Sequence, residues 1–122
     1  MYVRTGMISG LIASFVLISP VQAESLKRIR KAADFQAMVV GKTFGDDVTT
    51  MVVTADRKIS GKFQNDNIVG AWKWSNGYFC RNVNVGQRAM GNDCQLVKAD
   101  STEVSFTREK GKGKVAGPYT FK

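Results

Sequence analysis

The stretch of sequence that decides the fold is residues 68–85, IVGAWKWSNGYFCRNVNV. Its Asn76-Gly77 pair is typical of a two-residue type I′ turn, because both central residues of that turn need a positive φ. Such a turn joins two antiparallel strands and fixes their register, which places Ser75 opposite Tyr78. Side chains alternate between the two faces of a strand. The stretch therefore predicts a β-hairpin with one apolar face.

The apolar face of this predicted hairpin contains one charged residue. The register pairs Trp74 with Phe79 and Trp72 with Arg81. Burying a guanidinium is costly unless it is paired or stacked. Arg81 could bind an anion inside a barrel, and the three aromatic residues would then line the ligand site. Alternatively, Arg81 stacks on Trp72 and pairs with a carboxylate, and the aromatic residues form an ordinary core.

The chain after residue 42 resembles a series of short strands and polar turns. Strand-like runs lie at residues 48–54, 59–63, 94–99 and 103–108, and residues 119–122 are expected to close the sheet. Residues 86–93 contain two glycines and are expected to form a loop. Since no helix-length segment separates the runs, consecutive strands should be antiparallel.

A short helix is expected ahead of the strands. Asp34 is a suitable N-cap, Phe35 and Val39 would share one helical face, and Gly41 suits the end. The predicted fold class is therefore all-β: a small antiparallel β-barrel or bent meander sheet with a short N-terminal helix.

Residues 1–23 have the pattern of a secretory signal peptide. Arg4 gives a positive start, residues 7–18 form an apolar segment of about 12 residues, and residues 21–23, VQA, form a cleavage site. The apolar segment is short for a membrane-spanning helix, which needs about 20 residues. An uncleaved N-terminal anchor is the alternative.

Cleavage after residue 23 would leave one β domain over residues 24–122 with no membrane span. The protein would then be periplasmic or secreted. Cys80 and Cys94 are the only cysteines, and in an oxidising compartment such a pair predicts a disulfide. They close a loop of 15 residues, which is worth about 3 kcal/mol in the chain-entropy model.

The chain contains no histidine. This excludes Ser–His and Cys–His catalytic pairs and histidine metal ligands. The acidic residues fall mostly in predicted turns, and no cluster of them indicates a paired-carboxylate site. We therefore expect no catalytic residue set, no metal site and no cofactor.

The chain is basic, with 18 Lys and Arg against 10 Asp and Glu and a formal net charge of +8. Two basic clusters are apparent: one near the mature N-terminus, with Arg28 and Lys31, and one with Lys110, Lys112 and Lys114. These residues could contact an anionic envelope component such as anionic lipid headgroups, or they could simply form a solvated face. No stacking motif of a nucleic-acid-binding module is present, so no nucleic-acid partner is expected. The sequence leaves the oligomeric state open.

Several short motifs in the chain resemble those of one protein family. They are Gly70-Ala71-Trp72-Lys73-Trp74, Gly77-Tyr78-Phe79-Cys80-Arg81, Asp93-Cys94-Gln95 and Val104-Ser105-Phe106-Thr107-Arg108. Across most of residues 33–110 the chain is similar to a family of small exported proteins from alphaproteobacteria, many of which are automatically named dihydrodipicolinate reductase. The resemblance implies export and a fold of this kind, and the family name implies a reductase.

A reductase of that type needs a dinucleotide-binding domain, and this chain has neither the length nor the βαβ pattern for one. We therefore expect a non-enzymatic ligand-binding or envelope-binding module. Its partner would be a small anionic ligand at the Arg81 face or an anionic envelope component at the basic clusters. The alternatives are an enzyme, including the reductase, and an exported protein inhibitor.

Overall fold

The computed structural model describes residues 26–122 and the isolated Gly10. The predicted signal peptide otherwise lies outside the described residues. The described chain forms nine strands and two short helical segments. In chain order they are β1 (Lys27–Arg28), α1 (Ala32–Met38), β2 (Thr43–Gly45), β3 (Thr49–Val53), β4 (Lys58–Phe63), β5 (Asp66–Ser75), β6 (Tyr78–Val85), β7 (Arg88–Ala99), β8 (Glu103–Thr107), α2 (Arg108–Gly111) and β9 (Val115–Phe121).

Eight of these strands close into an antiparallel β-barrel. From β2 to β7 each strand is hydrogen-bonded to the next, β9 pairs with β2, and β8 pairs with both β9 and β7. The short β1 pairs with the end of β7, with Lys27 opposite Ala99. The predicted all-β barrel is therefore confirmed.

The predicted hairpin forms β5 and β6 of this barrel. Asn76 and Gly77 have φ values of 52° and 85°, as a type I′ turn requires. Ser75 lies opposite Tyr78. The register predicted from the sequence is confirmed along the hairpin, and it directs Phe79 toward the barrel interior, where its side chain is buried.

The predicted disulfide between Cys80 and Cys94 is also confirmed. The two residues lie directly opposite each other in the β6–β7 ladder. Their neighbours Phe79 and Gln95 form the next pair in the ladder and are both buried. Because side chains alternate across a sheet, the disulfide lies on the outer face of the barrel wall.

The loop predicted over residues 86–93 is wrong, because β7 already begins at Arg88. A β-bulge lies within the ladder, where Met90 and Gly91 together stand opposite Val83. Gly91 has a φ of 75°, which a bulge accommodates within a continuing strand. The glycine that suggested a loop therefore marks an irregularity of the strand.

The predicted helix is present as α1, but the cap predicted at Asp34 is wrong. Lys31 occupies the N-cap position without a side-chain cap hydrogen bond, and Asp34 lies in the first turn, where a carboxylate still interacts favourably with the positive end of a helix. The backbone N–H of Ile29 donates to Val97 at 2.9 Å. The Phe35 N–H donates to the Lys31 carbonyl oxygen at 3.1 Å, so the first helical turn already includes Asp34.

Helix α1 fills one end of the barrel. The side chain of Phe35 is fully buried. Its ring centroid lies 4.9 Å from that of Trp74 and 5.3 Å from those of Trp72 and Phe79. These four aromatic residues form what we call the closed end of the barrel.

Replacing Phe35 tests the importance of the closed end. The change Phe35→Ala should lower the free energy of unfolding by about 3–5 kcal/mol, because it leaves a cavity among three aromatic rings. Urea denaturation would measure the loss. The exposed neighbour Gln36 provides the control, and Gln36→Ala should change stability by less than about 0.5 kcal/mol. Equal, small effects of both changes would show that α1 is not part of the core.

The disulfide should stabilise the barrel without being needed to form it. We expect the double change Cys80→Ala and Cys94→Ala to lower the free energy of unfolding by about 2–3 kcal/mol, because the unfolded chain gains conformational freedom. The far-ultraviolet circular dichroism should remain that of a β protein. A double variant as stable as the oxidised protein would contradict this expectation.

Candidate functional site

The part of the barrel interior that α1 does not fill contains a cavity of about 250 Å³. Ten of its fifteen lining residues are apolar. The polar lining residues are Thr49, Arg81, Arg88, Gln95 and Tyr119. A cavity of roughly 150 Å³ admits benzene, and pockets for drug-sized ligands begin at roughly 300 Å³. The cavity is therefore of a size for a single ring or a short aliphatic chain.

Arg81 provides a positive charge at the wall of this cavity. Its Nη1 donates a hydrogen bond to the backbone carbonyl oxygen of Gly91 at 2.8 Å. One N–H group of Arg81 is therefore bonded to the β-bulge of β7. A guanidinium has five N–H donors. In the part of the chain that the structure describes, no carboxylate oxygen lies within the 4.0 Å of an ion pair with Arg81.

Asp93 is the carboxylate that the register brings nearest to Arg81, since the two residues lie directly opposite each other. Its side chain is instead engaged with neighbouring groups. Gln95 Nε2 donates to Oδ2 at 3.0 Å, and the backbone N–H of Glu109 donates to Oδ1 at 3.1 Å. Arg108 Nε lies 3.5 Å from Oδ2. Asp93 therefore holds α2 against the barrel and pairs with Arg108.

The protonation states of the cavity follow from its environment. Burial lowers the pKa of Arg81, the charge of Asp93 acts in the opposite direction, and Arg108 lowers it further. An arginine nevertheless remains charged in proteins. Burial also raises the pKa of Tyr119, and the negative charge of Asp46 acts in the same direction. The cavity wall therefore combines two guanidinium cations, those of Arg81 and Arg88, with a neutral phenol.

The predicted ligand-site residues separate into two groups. Phe79 and Arg81 line the cavity, whereas Trp72 and Trp74 pack around Phe35 at the closed end. The stacking of Arg81 on Trp72 that the sequence suggested is not observed in the described residues.

The cation that does lie over Trp72 is Arg57, whose Cζ is 5.1 Å from the ring centroid. Trp72 Nε1 also donates to the carbonyl oxygen of Thr54 at 3.0 Å. Both partners lie in the connection between β3 and β4, which therefore packs against this tryptophan. The alternation of side chains within the β5–β6 hairpin does not predict where the β3–β4 connection packs.

Sequence reasoning missed four polar cavity residues: Thr49, Arg88, Gln95 and Tyr119. A signal for Gln95 was present in the cysteine pair. If the two cysteines are taken as opposite residues of neighbouring strands, Gln95 falls opposite Phe79, and Asp93 falls opposite Arg81, as observed.

The basic residues named from the sequence are only partly brought together. Arg28 Cζ lies 5.1 Å from the ring centroid of Tyr78, and Lys110 Nζ lies 5.6 Å from the same centroid. One member of each predicted basic cluster therefore contacts the same tyrosine. Lys31, Lys112 and Lys114 are exposed, and none of them lies over an aromatic ring in the described residues.

Within residues 26–122 no three His, Cys, Asp or Glu side chains are arranged to hold a metal ion. No helix of the described chain is long and apolar enough to span a bilayer. Comparison with family models, curated proteins and solved structures gives no match to this chain.

Proposed function

We propose that the protein is an exported, non-enzymatic binding protein that holds a small amphipathic carboxylate in its barrel. The apolar part of the ligand would lie among the aliphatic and aromatic side chains of the cavity, and its carboxylate would bind Arg81. One observation carries the proposal. The guanidinium lies at the wall of an apolar cavity of about 250 Å³ and has no ion-pair partner among the described residues.

The energetics of Arg81 favour an anionic ligand. A partly buried cation that forms no ion pair is unfavourable, and a carboxylate matches the planar fork of a guanidinium with two parallel hydrogen bonds. Apolar walls with a few convergent polar groups are typical of small-molecule sites. The wall would therefore supply affinity, and Arg81 would orient the ligand.

Binding is favoured over catalysis by the composition of the cavity wall. In the described chain its lining includes no His, Cys, Asp or Glu. The remaining polar groups are hydroxyl, amide and guanidinium groups, of which Gln95 already donates to Asp93 at 3.0 Å. These groups are suited to holding a ligand in one orientation.

Three observations support the proposal of export. Residues 1–23 have the signal-peptide pattern, and the Cys80–Cys94 disulfide is of a kind that persists in oxidising compartments. The resemblance to a family of small exported alphaproteobacterial proteins agrees with both. We propose a periplasmic or secreted location.

Octanoate and octanol test the proposed site, because they share a chain and differ in charge. The wild-type protein should bind octanoate more tightly than octanol in isothermal titration calorimetry. The change Arg81→Gln keeps a polar side chain at this position but removes the charge. It should weaken octanoate binding about 10-fold to 100-fold, the size expected for one charged hydrogen-bonding group, and leave octanol binding nearly unchanged.

The matched control is Arg57→Gln, which removes an arginine over Trp72 rather than one at the cavity. It should leave octanoate binding unchanged, and thermal unfolding would establish that both variants are folded. The proposal would be overturned if the wild type bound neither compound saturably, or if folded Arg81→Gln protein bound octanoate as tightly as the wild type.

A further inference from the structure

We propose that the outer wall of the barrel around Tyr78 is a docking surface for an anionic lipid bilayer. This Tyr78 surface consists of Arg28, Tyr78, Lys98 and Lys110. It is separate from the cavity, because Tyr78 and Lys98 alternate along their strands with Phe79 and Val97, which are both buried in the core. The inference is therefore independent of the proposed ligand site.

Two basic residues from distant parts of the chain converge on the ring of Tyr78. Arg28 Cζ lies 5.1 Å from its centroid, and Lys110 Nζ lies 5.6 Å from it. Cations placed this close to an aromatic ring are attracted by its quadrupole. The Debye length is about 8–10 Å at ordinary salt, and both cations lie closer than that to the shared ring. The two like charges therefore repel each other.

Lys98 adds a third positive charge to the Tyr78 surface. It is the direct partner of Arg28 in the β1–β7 ladder, and its side chain is exposed. Directly opposite residues project from the same face of a sheet, and like charges in that position are destabilising. Such a pair becomes favourable when an external anion lies between the two cations.

Among the described residues, no acidic group forms an ion pair with the cations of this surface. The one ion pair found in residues 26–122 joins Arg108 and Asp93. Asp34 and Asp100 line a groove beside Arg28, but neither lies within the 4.0 Å of an ion pair with it. The Asp100 carboxylate instead accepts hydrogen bonds from the Thr102 and Glu103 backbone N–H groups, each at 2.8 Å.

The position of Lys110 is maintained by an unusual backbone. Glu109 and Lys110 have φ values of 54° and 56°, and Gly111 follows with a φ of 94°. Non-glycine residues with such values are uncommon and persist where surrounding contacts hold them, often at functional sites. Here the Glu109 N–H donates to Asp93 at 3.1 Å. This contact fixes the backbone from which the Lys110 side chain reaches Tyr78.

A bilayer fits this surface better than a small free anion does. The cations are spread over the outer side of a sheet, and Tyr78 lies at their centre, where a tyrosine suits a membrane–water interface. Each basic residue close to an anionic membrane contributes about fivefold to binding. Lys31, Lys112 and Lys114, which follow or precede these residues closely in the chain, are also exposed.

Vesicle co-sedimentation tests the proposal. We expect the wild-type protein to bind vesicles of phosphatidylcholine mixed with phosphatidylglycerol at low salt, to bind pure phosphatidylcholine vesicles poorly, and to be released by high salt. The double change Arg28→Gln and Lys110→Gln should weaken binding about 25-fold. Octanoate binding by that variant should stay unchanged.

The matched control is the double change Lys58→Gln and Lys62→Gln on the outer face of β4, where both lysines are exposed. It removes the same net charge and should weaken vesicle binding less than about fivefold. If the Arg28 variant does not fold, Lys110→Gln alone should weaken binding about fivefold.

Three outcomes would overturn the proposal. One is that the wild-type protein does not bind anionic vesicles, and another is that the two double variants weaken vesicle binding equally. The third is saturable binding of inorganic phosphate that Lys110→Gln abolishes while vesicle binding persists, which would assign the surface to a free anion.

Discussion

Phe35 determines how the interior of this barrel is divided. Its ring packs against Trp72, Trp74 and Phe79, so one end of the interior is filled by a side chain from outside the sheet. An eight-stranded barrel has an interior that side chains alone can fill or that can hold one small ligand. This barrel does both: aromatic side chains occupy the helix end, and a cavity of about 250 Å³ remains at the other. The position of α1 at one end of the barrel therefore also determines where a ligand can lie.

The charge at the cavity depends on which groups the Asp93 carboxylate contacts. The β6–β7 register places Asp93 opposite Arg81, where an ion pair would have neutralised that guanidinium. Instead the carboxylate accepts hydrogen bonds from Gln95 and from Glu109 and pairs with Arg108. The same contacts hold the turn that carries Lys110. Asp93 thus leaves Arg81 without an ion-pair partner among the described residues, and it also helps to position the turn that carries Lys110.

Some of this structure follows from the sequence and some does not. The β5–β6 register is predictable because Asn76-Gly77 specifies one turn geometry, and the alternation then places Arg81 on the interior face. The bulge at Gly91 is not predictable, since a glycine in a strand and a glycine in a loop look alike in sequence. Tertiary contacts alone place Arg57 over Trp72 and bring Arg28 and Lys110 to Tyr78. The cavity depends on which end α1 fills, and no local pattern encodes that choice.

The central claim is that Arg81 directs its unpaired charge at a ligand inside the barrel. Nuclear magnetic resonance of the arginine Nε–Hε groups during an octanoate titration tests it most directly, because each arginine reports separately. We expect the Arg81 signal to shift saturably while the signal of Arg57 stays in place. An unchanged Arg81 signal, or a shift confined to Arg28 on the outer wall, would contradict the claim.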